Sequence, residues 1–220
     1  QVEQLVRQVL RSQWGAVGEQ FRPESHNGGP NPLVVNVSAR HVHVHPEALE
    51  ALFGPGAQLT KLKDLYQEGE FASEQTVNII GPRNRMIPGV RILGPVRDYT
   101  QVELSYTDGV FLGIDLPLRI SGNHDQTPGA VLVGPYGAYN MDRGVIRAER
   151  HVHMHPDDAA HFAVEDKDYM KLRIEGPCGL TFDNLKVRVN PKVKLEVHID
   201  TDEGNACDLP SATRMELLKR

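Results

Sequence analysis

Cysteine and aromatic residues are scarce in this 220-residue chain: two Cys, one Trp and 6% aromatics overall. Cys178 and Cys207 give neither a metal-binding spacing nor a disulfide framework, so a reducing compartment is expected. No apolar run approaches the ~18 residues of a membrane span and no secretory leader pattern is visible, so a soluble, intracellular protein without membrane contact is expected. Basic residues are outnumbered, with a net charge of −5, which argues against a general nucleic-acid binder. A G-x-S-x-G elbow, a P-loop and a G-x-G-x-x-G fingerprint are all missing. With no base near either cysteine in sequence, a covalent serine or cysteine enzyme is disfavoured and metal-assisted chemistry is preferred.

Histidine, by contrast, is concentrated. Six of the ten histidines stand in two stretches, His-Val-His-Val-His-Pro at 41–46 and His-Val-His-Met-His-Pro at 151–156. Each follows an arginine, Arg40 or Arg150. SARHVHVHPEAL and RAERHVHMHPDDA thus form an internal repeat at an offset of 110 residues, half the chain. The remaining sequence alternates short β-type runs with turns: LVVNVS, TVNII, RILGPV, QVELSY, VFLGI, LRIS, AVLVG, VIRAERHVHMH, KLRIEGP, LKVRV and KLEVHID. Gly-Pro corners close such runs at Gly81, Gly94, Gly134 and Gly176. Short strands with glycine corners predict a mostly β protein built as two related barrels or half-barrels, not a parallel α/β sheet. PEALEALF, opened by Pro46 and stopped by Gly54-Pro55-Gly56, is expected to be a short helix.

Residues 1–14 place Val2, Leu5, Val6, Val9, Leu10 and Trp14 at helical spacing, an amphipathic helix. The Gly/Pro-rich segment 15–32 after it reads as a linker. The helix either docks on its own domain or serves as a tail for a partner. The charged stretch 59–73 shows no period and is expected to be a small excursion or lid.

In a strand, residues i and i+2 share a face. His41 and His43 therefore project together, opposite Val42 and Val44; His151 and His153 do so opposite Val152 and Met154. Paired imidazoles suit a metal, zinc above all, although an exposed polar strand face gives the same pattern. His45 and His155 precede prolines at the strand ends, where outer-shell support or helix capping competes with ligation. Glu103 in QVELSY and His198 in KLEVHID lie on the polar faces of alternating strands as candidate third ligands, with simple solvent exposure the competing reading. Asp202 and Glu203 have a weaker claim. His26, His124 and His161 have no such context and are expected to be surface residues. Arg83, Arg85, Arg91 and Arg97 fall within fifteen residues without an acid, either an anion site or a solvated basic loop.

SARHVHVHPEAL, GPVRDYTQVELS, ISGNHDQTPG, GVIRAERHVHMHP and KLEVHID, in that order, resemble the PduL-type phosphotransacylases, also called phosphate propanoyltransferases, over roughly residues 31–210. The resemblance implies two small β-barrels capped by short helices, one from residues 31–40 and 149–220 and the other from 41–148, with a lid at 55–75. It implies reversible exchange of coenzyme A for phosphate on a short acyl group. Two zinc ions are implied, one on His41, His43 and Glu103 and facing the coenzyme A sulfur, the other on His151, His153 and His198 with room for water. Arg97 would hold phosphate, with Arg83, Arg85 and Arg91 as further anion-binding candidates. Residues 1–30 would be an encapsulation tag and linker, directing the chain to shell or core proteins of a bacterial microcompartment, as in propanediol degradation, and a homodimer is expected. A zinc-dependent hydrolase of a phosphorylated or thioester substrate, or a non-catalytic metal-stabilised module, are the competing readings.

Overall fold

Both HxH stretches form very short strands whose apolar residues are wholly buried. Val42, Val44, Val152 and Met154 are each 0% exposed, so burial on one face dictates that the histidines point to the other. The structure, a computed structural model, describes residues 29–220. The amphipathic helix expected at 1–14, most of the linker and His26 lie outside the described residues.

From the start of the described chain, β1 (Val34–Ser38) and β2 (His41–His43) lead into α1 (Pro46–Phe53). Next come β3 (Lys61–Asp64), β4 (Phe71–Ile80), β5 (Met86–Gly94), β6 (Gln101–Glu103) and α2 (Tyr106–Leu112). The centre of the chain adds β7 (Leu118–Arg119), β8 (Ala130–Val133), β9 (Ala138–Met141) and β10 (Val145–Ala148). The second histidine stretch begins β11 (His151–Met154), followed by α3 (Pro156–Phe162), β12 (Tyr169–Glu175) and β13 (Leu180–Val189). Last come β14 (Glu196–Asp200), α4 (Thr201–Ala206), a 3-10 turn at Leu209–Ser211 and β15 (Arg214–Lys219).

Among the described residues the fold is mostly β, with two curled half-barrel sheets and four short helices. The six-stranded sheet runs β1-β14-β11-β13-β12-β15, and the nine-stranded sheet runs β7-β10-β6-β2-β5-β4-β8-β9 with β3 paired to β4. Each sheet has its own core. Met170, Leu172, Leu185, Leu195 and Val197 are at the heart of the first, and Leu52, Ile79, Ile92, Leu112 and Leu132 of the second. At roughly 1.5–3 kcal/mol per large buried aliphatic side chain, these cores are the main stabilising term of each half.

The internal repeat extends to topology. In the nine-stranded sheet β2 lies between a parallel partner, β5, and an antiparallel one, β6, which pairs in parallel with β10. In the six-stranded sheet β11 lies between parallel β13 and antiparallel β14, which pairs in parallel with β1. The strands that carry the candidate third residues, β6 and β14, then run into capped helices. Ser105 and Asp108 form a capping box at α2, and Asp200 and Glu203 form one at α4.

One predicted strand is a helix. VFLGI lies largely in α2, because the Ser105–Asp108 box starts a helix and Gly113, at φ +77, ends it in the left-handed region. Val110 and Phe111, apolar residues of that expected strand, are 53% and 43% exposed. The end of the predicted linker is tied down, since Asn31 Nδ2 donates to both carboxylate oxygens of Asp158 at 3.0 Å. No helix among the described residues is long and apolar enough to cross a membrane.

Candidate metal centres

Strand register assembles both clusters in the same way. On antiparallel β2 and β6, His41 stands opposite Glu103 and His43 opposite Gln101. On antiparallel β11 and β14, His151 stands opposite His198 and His153 opposite Glu196. Directly opposed side chains lie within reach of one another. Each HxH pair therefore meets the residue facing its first histidine. His41, His43 and Glu103 form one group and His151, His153 and His198 another, with ligand atoms within 4.8 Å inside each group.

In the first group the His41 and His43 rings stand edge to face at 4.9 Å, and His41 Nε2 is 3.5 Å from Glu103 Oε2. In the second, His151 Nε2 and His153 Nε2 approach to 3.2 Å, and His198 stacks on His151 at 4.9 Å with 9° between the planes. His41 Nδ1 donates to Ala39 O and His151 Nδ1 to Glu149 O, both at 2.8 Å. A carbonyl oxygen only accepts, so these contacts fix Nδ1 as the protonated nitrogen and turn Nε2 inward, the arrangement that supports metal-bound histidine.

These donor sets fit a divalent ion. The buried His43 Nδ1 lacks a hydrogen-bond partner, a costly condition for a buried polar atom, while His198 Nε2 faces the Glu196 carboxylate at 3.1 Å. The 3.2 Å separation of His151 and His153 is close to the edge of a tetrahedron with Zn–N bonds of about 2.0–2.1 Å, roughly 3.3 Å. Three nitrogens at one centre, and two nitrogens with a carboxylate oxygen at the other, both suit zinc.

Electrostatics favours the neutral imidazole at His43, His151 and His153 and the carboxylate at Glu103. Burial, then the neighbouring His198, brings His151 down to about 3. Burial, then His151 and His198, brings His153 down to about 2. Burial likewise lowers His43, with the charges of His41 and Arg97 adding to it. Burial alone would raise Glu103, but the combined pull of His41, its hydrogen bond, His43 and His151 outweighs this and holds the carboxylate well below its usual range. For His41 burial works downward, and its ion pair with Glu103 overrides it, leaving the value raised. Glu103 and His151 act on each other across the two groups, so the clusters share one electrostatic site.

Of the four clustered arginines, Arg97 is the one whose charge acts on this site, at His41 and His43; Arg188 acts in the same way on His151 and His153. Arg97 Nη1 donates to Tyr99 Oη at 3.1 Å and Ser121 Oγ at 3.4 Å, while Nη2 meets Glu70 Oε1 at 3.4 Å. The other three arginines use their donors elsewhere. Arg83 reaches Val110 O, Arg85 reaches Phe111 O, and Arg91 reaches Ser73 O and Glu74 O. His45 and His155 cap α1 and α3, each accepting through Nδ1 from the second following amide at 3.3 Å, and neither belongs to a ligand group. Asp202 accepts from Thr107 N at the start of α2 and Glu203 pairs with Arg150 at 2.6 Å, so both have structural partners outside the ligand groups. Arg40 pairs with Asp108 at 3.3 Å, the same contact in the other half.

Several residues at the site escape a reading by strand parity. Gln101 donates to Glu103, and Glu196 sits 3.1 Å from His198 Nε2 while accepting from Asn36 and from Gln67. His124, expected at the surface, is half-buried against Gln101 and Tyr99. A signal did exist in the sequence. Gln101-Val-Glu-Leu-Ser105 and Glu196-Val-His-Ile-Asp200 are a second internal repeat, matching ligand to ligand, outer partner to outer partner and helix cap to helix cap.

The phosphate propanoyltransferase family profile matches residues 34–210. The chain is 57% identical to a phosphate propanoyltransferase of Planctopirus limnophila over 220 residues, covering 99% of this chain and 90% of that protein. It is 49% identical over 178 residues to one of Thermotoga maritima, covering 80% and 84%. A third, from Salmonella typhimurium, is 47% identical over 176 residues, covering 80% and 83%. The chain belongs to the phosphate propanoyltransferase family, a family of acyltransferases.

Proposed function

We propose that the chain interconverts a short-chain acyl-CoA (propanoyl-CoA or acetyl-CoA) and phosphate with the acyl phosphate and free coenzyme A, at a site holding two zinc ions. The observation that carries this reading is the pair of register-matched ligand groups with Arg97 beside the first. His41, His43 and Glu103 would hold one ion and His151, His153 and His198 the other. When bound, zinc supplies Lewis acidity toward the departing thiolate and the oxyanion that develops on the acyl carbonyl.

The chain's own residues bind and orient. The two donors that Arg97 now directs to Tyr99, Ser121 and Glu70 form a fork that matches two oxygens of phosphate. Neutralising phosphate in this way lowers charge repulsion and sets one oxygen in line with the thioester carbon. That oxygen forms the new C–O bond, the C–S bond breaks, and the electron pair leaves with sulfur. No acyl-enzyme intermediate is needed. The neutral imidazoles of His43, His151 and His153 keep lone pairs for ligation at working pH. The segment 55–75 acts as a lid, supported by Gln67, which reaches Glu196, and Glu70, which reaches Arg97. Residues 31–40 with 149–220, and 41–148, are the two domains, each with one sheet and one core. Arg83, Arg85 and Arg91 serve the protein backbone first and anions second.

The deciding measurement is thiol release from propanoyl-CoA with and without phosphate, before and after chelation. Release that needs both phosphate and metal is expected. Release without phosphate would establish a hydrolase, and no release with metal firmly retained would establish a structural module. Residues 1–14 are proposed as a tag for a bacterial microcompartment, and the chain as a homodimer. A fusion of residues 1–20 to a fluorescent protein should form puncta in shell-building cells, and diffuse signal would refute the tag. Sedimentation should give twice the chain mass.

A further inference from the structure

Gln101 and the turn Ser121-Gly122-Asn123-His124 remain without a role in that scheme. Gln101 is 0% exposed, and its carboxamide is fully engaged. Its Oε1 accepts from Gly122 N at 2.8 Å, and a backbone N–H only donates, so this contact fixes which way the amide points. The same Oε1 lies 2.9 Å from His124 Nε2, which must therefore carry the proton. On the other side Nε2 donates to Glu103 Oε1 at 2.6 Å and to Ser121 Oγ at 2.8 Å.

Both onward routes end at Arg97. Ser121 Oγ accepts from Arg97 Nη1 at 3.4 Å. His124 packs edge-on against Tyr99 at 4.9 Å, and the Tyr99 hydroxyl accepts from the same Nη1 at 3.1 Å. Glu103 is the carboxylate of the first ligand group, and Arg97 is the cation placed beside it. A single buried amide thus stands between them.

We propose that Gln101 is a positioning residue that locks the ligand Glu103 and the phosphate-holding Arg97 into one hydrogen-bonded frame, so that neither can shift without the other. This rests on the roles given to Glu103 and Arg97 above. One consequence concerns the carboxylate. With Oε1 held by Gln101, Oε2 is the oxygen turned toward His41, so Glu103 would offer an ion that oxygen.

The frame also explains an inequality between the halves. Glu196 occupies the register position of Gln101 in the other sheet, opposite His153 as Gln101 is opposite His43. Beside an anionic ligand the outer partner must donate, and the amide of Gln101 does. Beside His198 the outer partner is a carboxylate, Glu196. A Glu at position 101 would put two carboxylates at hydrogen-bond distance with no donor between them.

Three variants of the full chain test this: Gln101→Met, Gln101→Glu and Ser121→Ala. Metal-stripped protein is titrated with Co2+, following its visible absorption, and steady-state kinetics gives KM for phosphate and kcat. Wild type should take up two equivalents. Gln101→Met should bind one of the two about 10–100-fold more weakly, as loss of an outer partner of a ligand does, with Gln101→Glu weaker still, and both should raise KM for phosphate. Ser121→Ala should keep both equivalents at wild-type affinity and kcat, yet raise KM for phosphate about 3–10-fold, since only the Arg97 arm is cut. Two unaltered Co2+ equivalents in Gln101→Met overturn the frame. A wild-type phosphate KM in Ser121→Ala does so too, and this variant decides alone if the buried substitutions do not fold. A wild-type chain that takes up no Co2+, or whose thiol release ignores phosphate, overturns the underlying reading instead.

Discussion

Replacing Arg97 by alanine should separate activity from stability by a wide margin. The side chain is about one-quarter exposed and its ion-pair partner Glu70 about two-fifths, at 25% and 43%. An ion pair of that exposure contributes about 0–1 kcal/mol to folding. The backbone bond from Arg97 N to Val44 O, at 3.0 Å, survives the substitution. Unfolding should therefore shift by no more than about 1 kcal/mol, a few degrees in Tm. Phosphate binding loses far more. Charge-assisted hydrogen bonds contribute about 1.5–3 kcal/mol each, and a fork makes two of them. Even with imperfect additivity, about 3–4 kcal/mol should disappear, or about 10²–10³-fold in kcat/KM for phosphate at about 1.4 kcal/mol per tenfold. Arg97→Lys keeps the charge without the fork and should fall between. Thiol release at limiting phosphate, run beside thermal unfolding, provides the assay. Near wild-type turnover in Arg97→Ala, or a loss of activity that merely tracks unfolding, would refute the reasoning.

Other perturbations address the ligand groups and their supports. His151 and His153 have folded values near 3 and 2, against about 6.5 in an unfolded chain. The folded metal-free protein thus binds fewer protons than the unfolded one, so this contribution to stability is present above pH 6.5 and is lost as pH falls toward 3. Metal retention should fail over the upper part of the same window, as measured by zinc release to a colorimetric chelator between pH 7 and 4; occupancy unchanged at pH 4 would contradict it. His45→Ala and His155→Ala should each cost about 0.5–2 kcal/mol as lost helix caps and leave metal content at two per chain, while a lost equivalent would make them ligands. Gly129→Ala should destabilise by about 1–3 kcal/mol, because an added Cβ would lie 1.8 Å from Met141 O; an unchanged denaturation midpoint would show that the backbone there yields freely.

Much of the frame was legible from alternation alone. Val42, Val44, Val152 and Met154 are apolar at every second position, and burying them fixes where His41, His43, His151 and His153 must point. The third members of each group were not legible this way. Glu103 and His198 gain their position from antiparallel register with strands 62 and 47 residues distant in sequence, and strand parity carries no information about which strands pair. Local chemistry misled at α2. Its exposed Val110 and Phe111 look like a strand, whereas the Ser105–Asp108 box decides for helix. The edge strand β15 was also invisible to alternation, since RMELLK mixes Glu216 and Lys219 among its apolar residues and gains its place by pairing with β12. Arg83, Arg85 and Arg91 cluster with Arg97 in sequence, but β5 and the turn before it carry them to different carbonyl groups.

The two halves show how a duplicated backbone can hold unlike chemistry. Strand order, register, the arginine before each HxH and the capped helix after each third residue are shared, so the positions of the donors are set twice by the same rules. What differs is the side chain at one register position and at its outer neighbour, Glu103 with Gln101 against His198 with Glu196. Placing a carboxylate inside would make a loaded first centre one unit less positive than the second. The outer residue then has to be of the opposite hydrogen-bonding type, an amide donor beside Glu103 and a carboxylate beside His198. Exchanging only the inner residue, as in Glu103→His, would leave the donor of Gln101 facing an imidazole. If inner and outer residues act as a matched pair, the double exchange Glu103→His with Gln101→Glu should retain first-centre Co2+ better than Glu103→His alone; equal retention in the two would show that the pairing does not matter.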